Sequence, residues 1–153
     1  MAEATRRLTC HIPAVTPTLY TDASEAHALR EVLEPAIIEH ATGLLHPRLL
    51  ARLGQEAEHL LDCDLSLAPQ VYCQVHMSLY QVAPVPRLVA LAEIELRAAA
   101  PVLLHYLGNP VHRRTVVKDV RELLAALAKG RTGDAVTVLR RHLTRLSRAW
   151  AMA

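Results

Sequence analysis

The sequence predicts an all-α fold, an antiparallel bundle of about six helices, and three observations point there. Hydrophobic residues make up 52% of the 153 residues, supplied mostly by 26 Leu, 24 Ala and 14 Val, while Phe is absent; that mix favours helices. Only 5 Gly are present, too few for the many turns of a sandwich or barrel, so an all-β fold is excluded. The 9 Pro fall like helix punctuation between segments whose apolar residues repeat at three and four. The length suits one domain with a real core, not two.

Residues 1–23 show no sustained periodicity and contain Pro13 and Pro17, so they read as an arm ahead of a single domain over 24–153. Ser24 caps a first helix with Leu29, Val32, Leu33, Ala36 and Ile37 as its inward stripe; Pro35 bends it and Gly43 ends it. Pro47 opens a second, peripheral helix with Leu49, Leu50, Leu53, Ala57, Leu60 and Leu61 on one face. Asp62, Asp64 and Ser66 mark a loop. Pro69 starts a third helix, running to about Ala83, with no charge on any side, and such a helix belongs at the centre of a bundle. Pro84 and Pro86 precede a fourth helix, amphipathic to Arg97 and apolar from Ala98 to Leu107, which Pro101 kinks or divides. After Gly108, Asn109 and Pro110, a fifth helix turns Val116, Val117, Val120, Leu123, Leu124 and Leu127 inward and closes at Gly130. Thr132 or Asp134 caps a sixth, with Ala135, Val136, Leu139, Leu143, Leu146 and Trp150 inward.

A net charge of +2 gives no support to a dedicated nucleic-acid domain, so no specific nucleic-acid contact is expected. The Arg140, Arg141, Arg145 and Arg148 cluster reads as surface cover near a helix carboxy terminus. Cys10, Cys63 and Cys73 are odd in number and lack CxxC spacing, which fits a reducing cytoplasm better than a disulfide framework or a structural zinc site. Residues 1–9 lead into no apolar run, so no secretory signal is read. The longest uncharged stretch, 65–86, holds three Gln, two Ser, His76 and three Pro, which would be costly in a bilayer. No membrane contact is expected.

Common enzyme signatures are missing: no GxSxG elbow, no GxGxxG or Walker loop, no HExxH, and no carboxylate pair on helices read as buried. The five Asp are read as lying near helix ends or in loops. Three of the nine His occupy positions read as inward: His76, His105 and His142. His76 lies one turn from both Tyr72 and Tyr80, so its ring needs a partner or a ligand in the interior. Imidazoles from three helices could converge on a metal or anion pocket.

The segments 29-LREVLEP-35, 75-VHMSL-79, 119-DVRELLAALAKG-130 and 134-DAVTVLRRHL-143, in that order and spacing, resemble the FCD domain. This is the effector-binding carboxy-terminal domain of FadR-type GntR transcription regulators, and the resemblance covers residues 24 to about 148. It implies a helical bundle, pairing into a homodimer, and an internal cavity for a small molecule. The family's metal ligands are an Asp and three His. His76 and His142 match two of them, while Tyr72 and Val120 stand at the other two positions, so the resemblance implies a pocket without metal or other cofactor. Val75 and Val85, where the family has Phe and Asn, make that pocket more apolar. The winged helix-turn-helix that precedes this domain in such regulators cannot fit in the 23 residues before Ser24.

The function implied is that of a module binding a small, largely apolar organic ligand between the third, fourth and sixth helices. Tyr72, His76, Tyr80, His105, Val120 and His142 would line the pocket, with His76 and His142 on opposite walls and Arg30 at the rim. The alternative is a metal-independent enzyme of cyclase, isomerase or lyase type acting on a biosynthetic intermediate. Its catalytic candidates are His76, His142 and Tyr72, with Arg30 gripping a carboxylate or enolate. A third reading, a pocket closed by its own side chains, leaves no ligand at all.

Overall fold

The computed structural model describes residues 17–151, with side chains for 24–149. Within them the chain forms seven α-helices and no strand: α1 (Pro17–Ala41), α2 (Pro47–Glu58), α3 (Ala68–Tyr80), α4 (Pro86–Ala98), α5 (Ala100–Leu107), α6 (Pro110–Ala128) and α7 (Thr132–Ala151). Short 3-10 turns at His59–Leu61 and Leu65–Leu67 carry the chain from α2 to α3. The all-α bundle is as expected. The seventh helix arises because Pro101 divides the fourth predicted helix: its missing N–H and its ring near the preceding turn interrupt the ladder, and the break falls at Ala99.

Proline and polar caps set the boundaries. Pro47, Pro69, Pro86, Pro101 and Pro110 each sit in a first turn, where no intrahelical N–H bond is lost. The Asn109 side chain accepts from the Val111 N–H at 2.8 Å and caps α6. Gly43 (φ 87°) and Gly130 (φ 64°) adopt the left-handed conformation just beyond α1 and α6. Arg113 near the start of α6 donates to the carbonyls of Leu60, Cys63 and Leu107, which ties α6 to two helix ends.

The first helix differs most from expectation. It starts at Pro17, seven residues before Ser24, so only residues 1–16 of the expected arm lie outside the described residues. Its inward stripe is also turned. Leu29 and Val32 are exposed, at 47% and 70%, while Ala26, His27, Arg30, Glu34, Ile37, Ile38 and Ala41 are buried. Apolar residues lie on both faces of α1, and an apolar count cannot foresee that Arg30 and Glu34, one turn apart, neutralise each other inside. Leu61 is likewise exposed, and the Trp150 side chain lies outside the described residues.

Uncharged α3 occupies the centre, as its composition predicts, and packs on α1, α2, α4 and α5. α1 packs against α4 and α7, and α6 against α2 and α7. α3 and α7 do not approach backbone to backbone; long side chains span the space between them. Between α2 and α6 the core is aliphatic, where Leu50, Leu53 and Ala57 are buried with Val116, Val117, Leu123 and Leu124. The polar residues of interest lie across the gap between α3 and α7.

Candidate functional site

Arg30 is the hub of a buried polar cluster. It is 0% exposed, at the centre of the bundle and not at a rim. Its Nε donates to Glu34 Oε1 at 2.5 Å and its Nη2 to the Tyr72 hydroxyl at 2.9 Å, with the guanidinium carbon 5.5 Å from the Tyr72 ring centre. Burial disfavours the guanidinium charge, but Glu34 together with Tyr72 and Tyr80 outweighs it and raises the pKa of Arg30.

Beyond Tyr72 the bonds run toward the surface. The Tyr72 hydroxyl meets His142 Nε2 at 2.8 Å, and His142 Nδ1 faces Asp119 Oδ2 at 3.3 Å. Arg145 then donates to both Asp119 oxygens, at 2.6 and 2.8 Å. Burial would raise the Asp119 carboxyl, but hydrogen bonds from His142 and Arg145 prevail and hold it below its usual value. Burial raises the Tyr72 phenol, opposed by Arg30.

Beyond Glu34 the bonds stay inside. The Tyr80 hydroxyl donates to Glu34 Oε2 at 2.5 Å, and His76 Nδ1 lies 2.9 Å from the Tyr80 oxygen. Burial, with further repulsion from His142 and Arg30, pushes His76 well below the usual imidazole value, so its ring is neutral near pH 7. Tyr80 is raised by burial and then by Glu34. Two buried polar atoms of the cluster have no partner among the described residues: His76 Nε2 and Arg30 Nη1.

His76 and His142 do come together, as the sequence suggests, but their rings stack with centres 5.6 Å apart and do not face each other across a cavity. Tyr72 stacks on the same group, 4.3 Å from His76 and 5.7 Å from His142. Tyr80 joins through its hydroxyl, and Val120 is buried on α6 beside Asp119. His105 does not join. It is exposed on α5 and borders a separate surface depression with Tyr106, Asn109 and His112. Among the described residues the third buried histidine is His27, whose ring bonds to the Leu143 carbonyl at 2.7 Å.

Sequence reasoning missed Asp119, which is neither at a helix end nor in a loop. It lies in the middle of α6 and is buried, so carboxylates do occur on buried helix faces, at Asp119 and Glu34. A signal was available, since Asp119 sits three residues after Val116 and four before Leu123 on the inward arc.

The donor set does not fit a metal ion. Tyr72, at the family's Asp position, bonds to a guanidinium, whose charge repels a cation, and both nitrogens of His142 already have partners. That leaves one free imidazole nitrogen, where a stable site needs three or four protein ligands. Among the described residues, no group of three His, Cys, Asp or Glu is gathered to hold a metal.

The FCD-domain sequence profile matches residues 25–145. This chain belongs to the FCD family. FCD domains are related to GntR regulators and bind small-molecule effectors. The fold is similar to that of E. coli McbR/YncC, with a TM-score of 0.75 and 21% identity over 92% of this chain and 71% of the other. No curated protein sequence matches.

Proposed function

We propose that this FCD domain binds a small, largely apolar organic molecule without a metal, and that Arg30 and His76 contact its one polar group. The observation that carries this reading is the pair of unpartnered atoms, Arg30 Nη1 and His76 Nε2, in side chains 0% and 1% exposed. A buried donor or acceptor left unmade costs about 1–3 kcal/mol, so such a pair calls for a partner from outside the chain. The Tyr72 and Tyr80 rings pack against the His76 ring, with centres 4.3 and 5.9 Å away. Native mass spectrometry after incubation with a metabolite extract tests the reading. A stoichiometric small-molecule adduct is expected on the wild type and not on His76→Phe; no adduct on either protein would refute it.

A second reading, an enzyme of cyclase, isomerase or lyase type, uses the same two atoms. His76 Nε2 would accept a proton from a carbon beside a carbonyl while Arg30 Nη1 holds the resulting enolate oxygen. His142 is less suited to be the base, because Tyr72 already occupies its Nε2. Solvent deuterium entering a bound substrate would favour this reading over simple binding.

The proposal extends to a cytoplasmic homodimer. The exposed Leu29 and Val32 of α1 and Leu91 and Ile94 of α4 lie on two helices packed side by side, an apolar surface suited to a second copy. Light scattering should give twice the chain mass. Three cysteines, an odd number without CxxC spacing, suit a reducing compartment. No helix of the described residues is long and apolar enough to cross a membrane. Specific nucleic-acid contact forms no part of the proposal.

A further inference from the structure

We infer that the group recognised at Arg30 and His76 is an uncharged donor–acceptor group, an amide or a hydroxyl, and not a carboxylate. This rests on the reading above that the cluster is the ligand site. It follows from counting hydrogens along the bonds. Tyr80 has one O–H, and it goes to Glu34 Oε2 at 2.5 Å, since a carboxylate paired with Arg30 only accepts. The Tyr80 oxygen must therefore accept from His76, which places the ring hydrogen of His76 on Nδ1. The unpartnered Nε2 is then a bare lone pair, an acceptor.

Arg30 is accounted for in the same way. Its Nε–H goes to Glu34 and its Nη2 to Tyr72, so the unpartnered Nη1 offers donors only. The two open positions thus ask for different things, an acceptor at Arg30 and a donor at His76. A carboxylate satisfies Arg30 but sets its own lone pairs against Nε2. A cation suits Nε2 but meets the guanidinium charge. A carboxamide carries both complements, a carbonyl for Arg30 and an N–H for His76, and a hydroxyl likewise both accepts and donates. The existing Arg30–Glu34 pair already balances charge in the cluster, so an anionic ligand would leave an uncompensated charge in the core.

Benzamide and benzoate form a matched probe pair, alike in shape and differing in charge and in the N–H donor. Both are titrated at pH 7.5 into the 15N-labelled protein, with the histidine ring nitrogens observed directly. In the free protein, His76 should show a protonated Nδ1 and a bare Nε2; the opposite tautomer overturns the inference whatever binds. Benzamide should shift the Nε2 resonance and bind at least tenfold more tightly than benzoate, and His76→Phe should erase that preference. Benzoate binding as tightly or more tightly would overturn the inference while leaving the binding site itself in place. If neither probe moves His76 or the Arg30 side chain, the site reading fails, and the inference with it.

Discussion

The two branches of hydrogen bonds that leave Arg30 use the same kinds of side chain and end in opposite ways. One passes through Tyr72 and His142 to Asp119 and finishes at Arg145, which is 43% exposed, with both His142 nitrogens and both Asp119 oxygens partnered. The other passes through Glu34 and Tyr80 to His76 and stops inside the bundle with an open nitrogen. A satisfied branch has nothing left to offer a ligand and serves to hold α1, α3, α6 and α7 together. The unsatisfied branch is where we propose that the ligand is recognised. Burial alone does not separate the two, since His76 and His142 are 1% and 3% exposed; the completeness of their bonding does.

The comparison breaks most visibly at the hub. Arg30→Ala leaves Glu34 in the core without its counter-ion, and breaking a buried ion pair in this way destabilises by about 3–5 kcal/mol. A large fall in the midpoint of urea unfolding is expected, and Arg30→Met combined with Glu34→Leu should recover much of it. Were Arg30 a rim residue, as its sequence position suggests, the same substitution would leave the midpoint almost unchanged.

Acid should act next most strongly. Burial, then Arg30, lowers His27 from 6.5 to about 4, and His76 is lowered in the same sense. Among the described residues, the titratable and charged groups facing His27 are Glu31, Arg30 and His142, and those facing His76 are Glu34, Tyr80, Arg30 and His142. Each His stays neutral in the fold while the unfolded chain takes up its proton near 6.5. Stability is therefore complete above pH 6.5 and is lost as pH falls toward the folded values. His27 alone accounts for about 3 kcal/mol by pH 4. Thermal unfolding between pH 7.5 and 4 checks this, and an unchanged Tm down to pH 4.5 would contradict it.

Asp119→Asn tests the satisfied branch. It weakens the bonds to His142 and Arg145, at a cost of about 1–3 kcal/mol. A lower Tm with unchanged benzamide affinity is expected, because Asp119 does not reach the open atoms.

Much of this was legible in the sequence. Composition and proline spacing give the helices, absence of charge places α3 at the centre, and the ordered motifs bring out Arg30, Tyr72, His76 and His142. The rest depends on three-dimensional pairing. The inward stripe of α1 was assigned to Leu29 and Val32 because apolar periodicity cannot register that Arg30 and Glu34 cancel each other one turn apart. Asp119 was passed over because a buried acid is credible only once Arg145 of α7 is known to reach it. His105 lies off the inward arc that Leu96, Ala99, Leu103 and Leu107 carry from α4 into α5, an arc that the almost wholly apolar run 98–107 conceals from a hydrophobic count. Val120 was identified as buried, but the polar contact to His142 comes from the residue before it, Asp119.

The smallest expected change in stability belongs to His76, and it carries the central claim. His76→Phe removes one made bond, to Tyr80, together with the open nitrogen, so it should destabilise by only about 1 kcal/mol. Benzamide affinity measured by NMR titration in His76→Phe and Asp119→Asn, beside the melting temperature of each, separates the two branches directly. The prediction is a crossing pattern: His76→Phe melts close to the wild type and binds at least tenfold more weakly, while Asp119→Asn melts lower and binds as the wild type does. Affinity falling in step with stability in both variants would contradict the claim, since His76 would then be one more core residue.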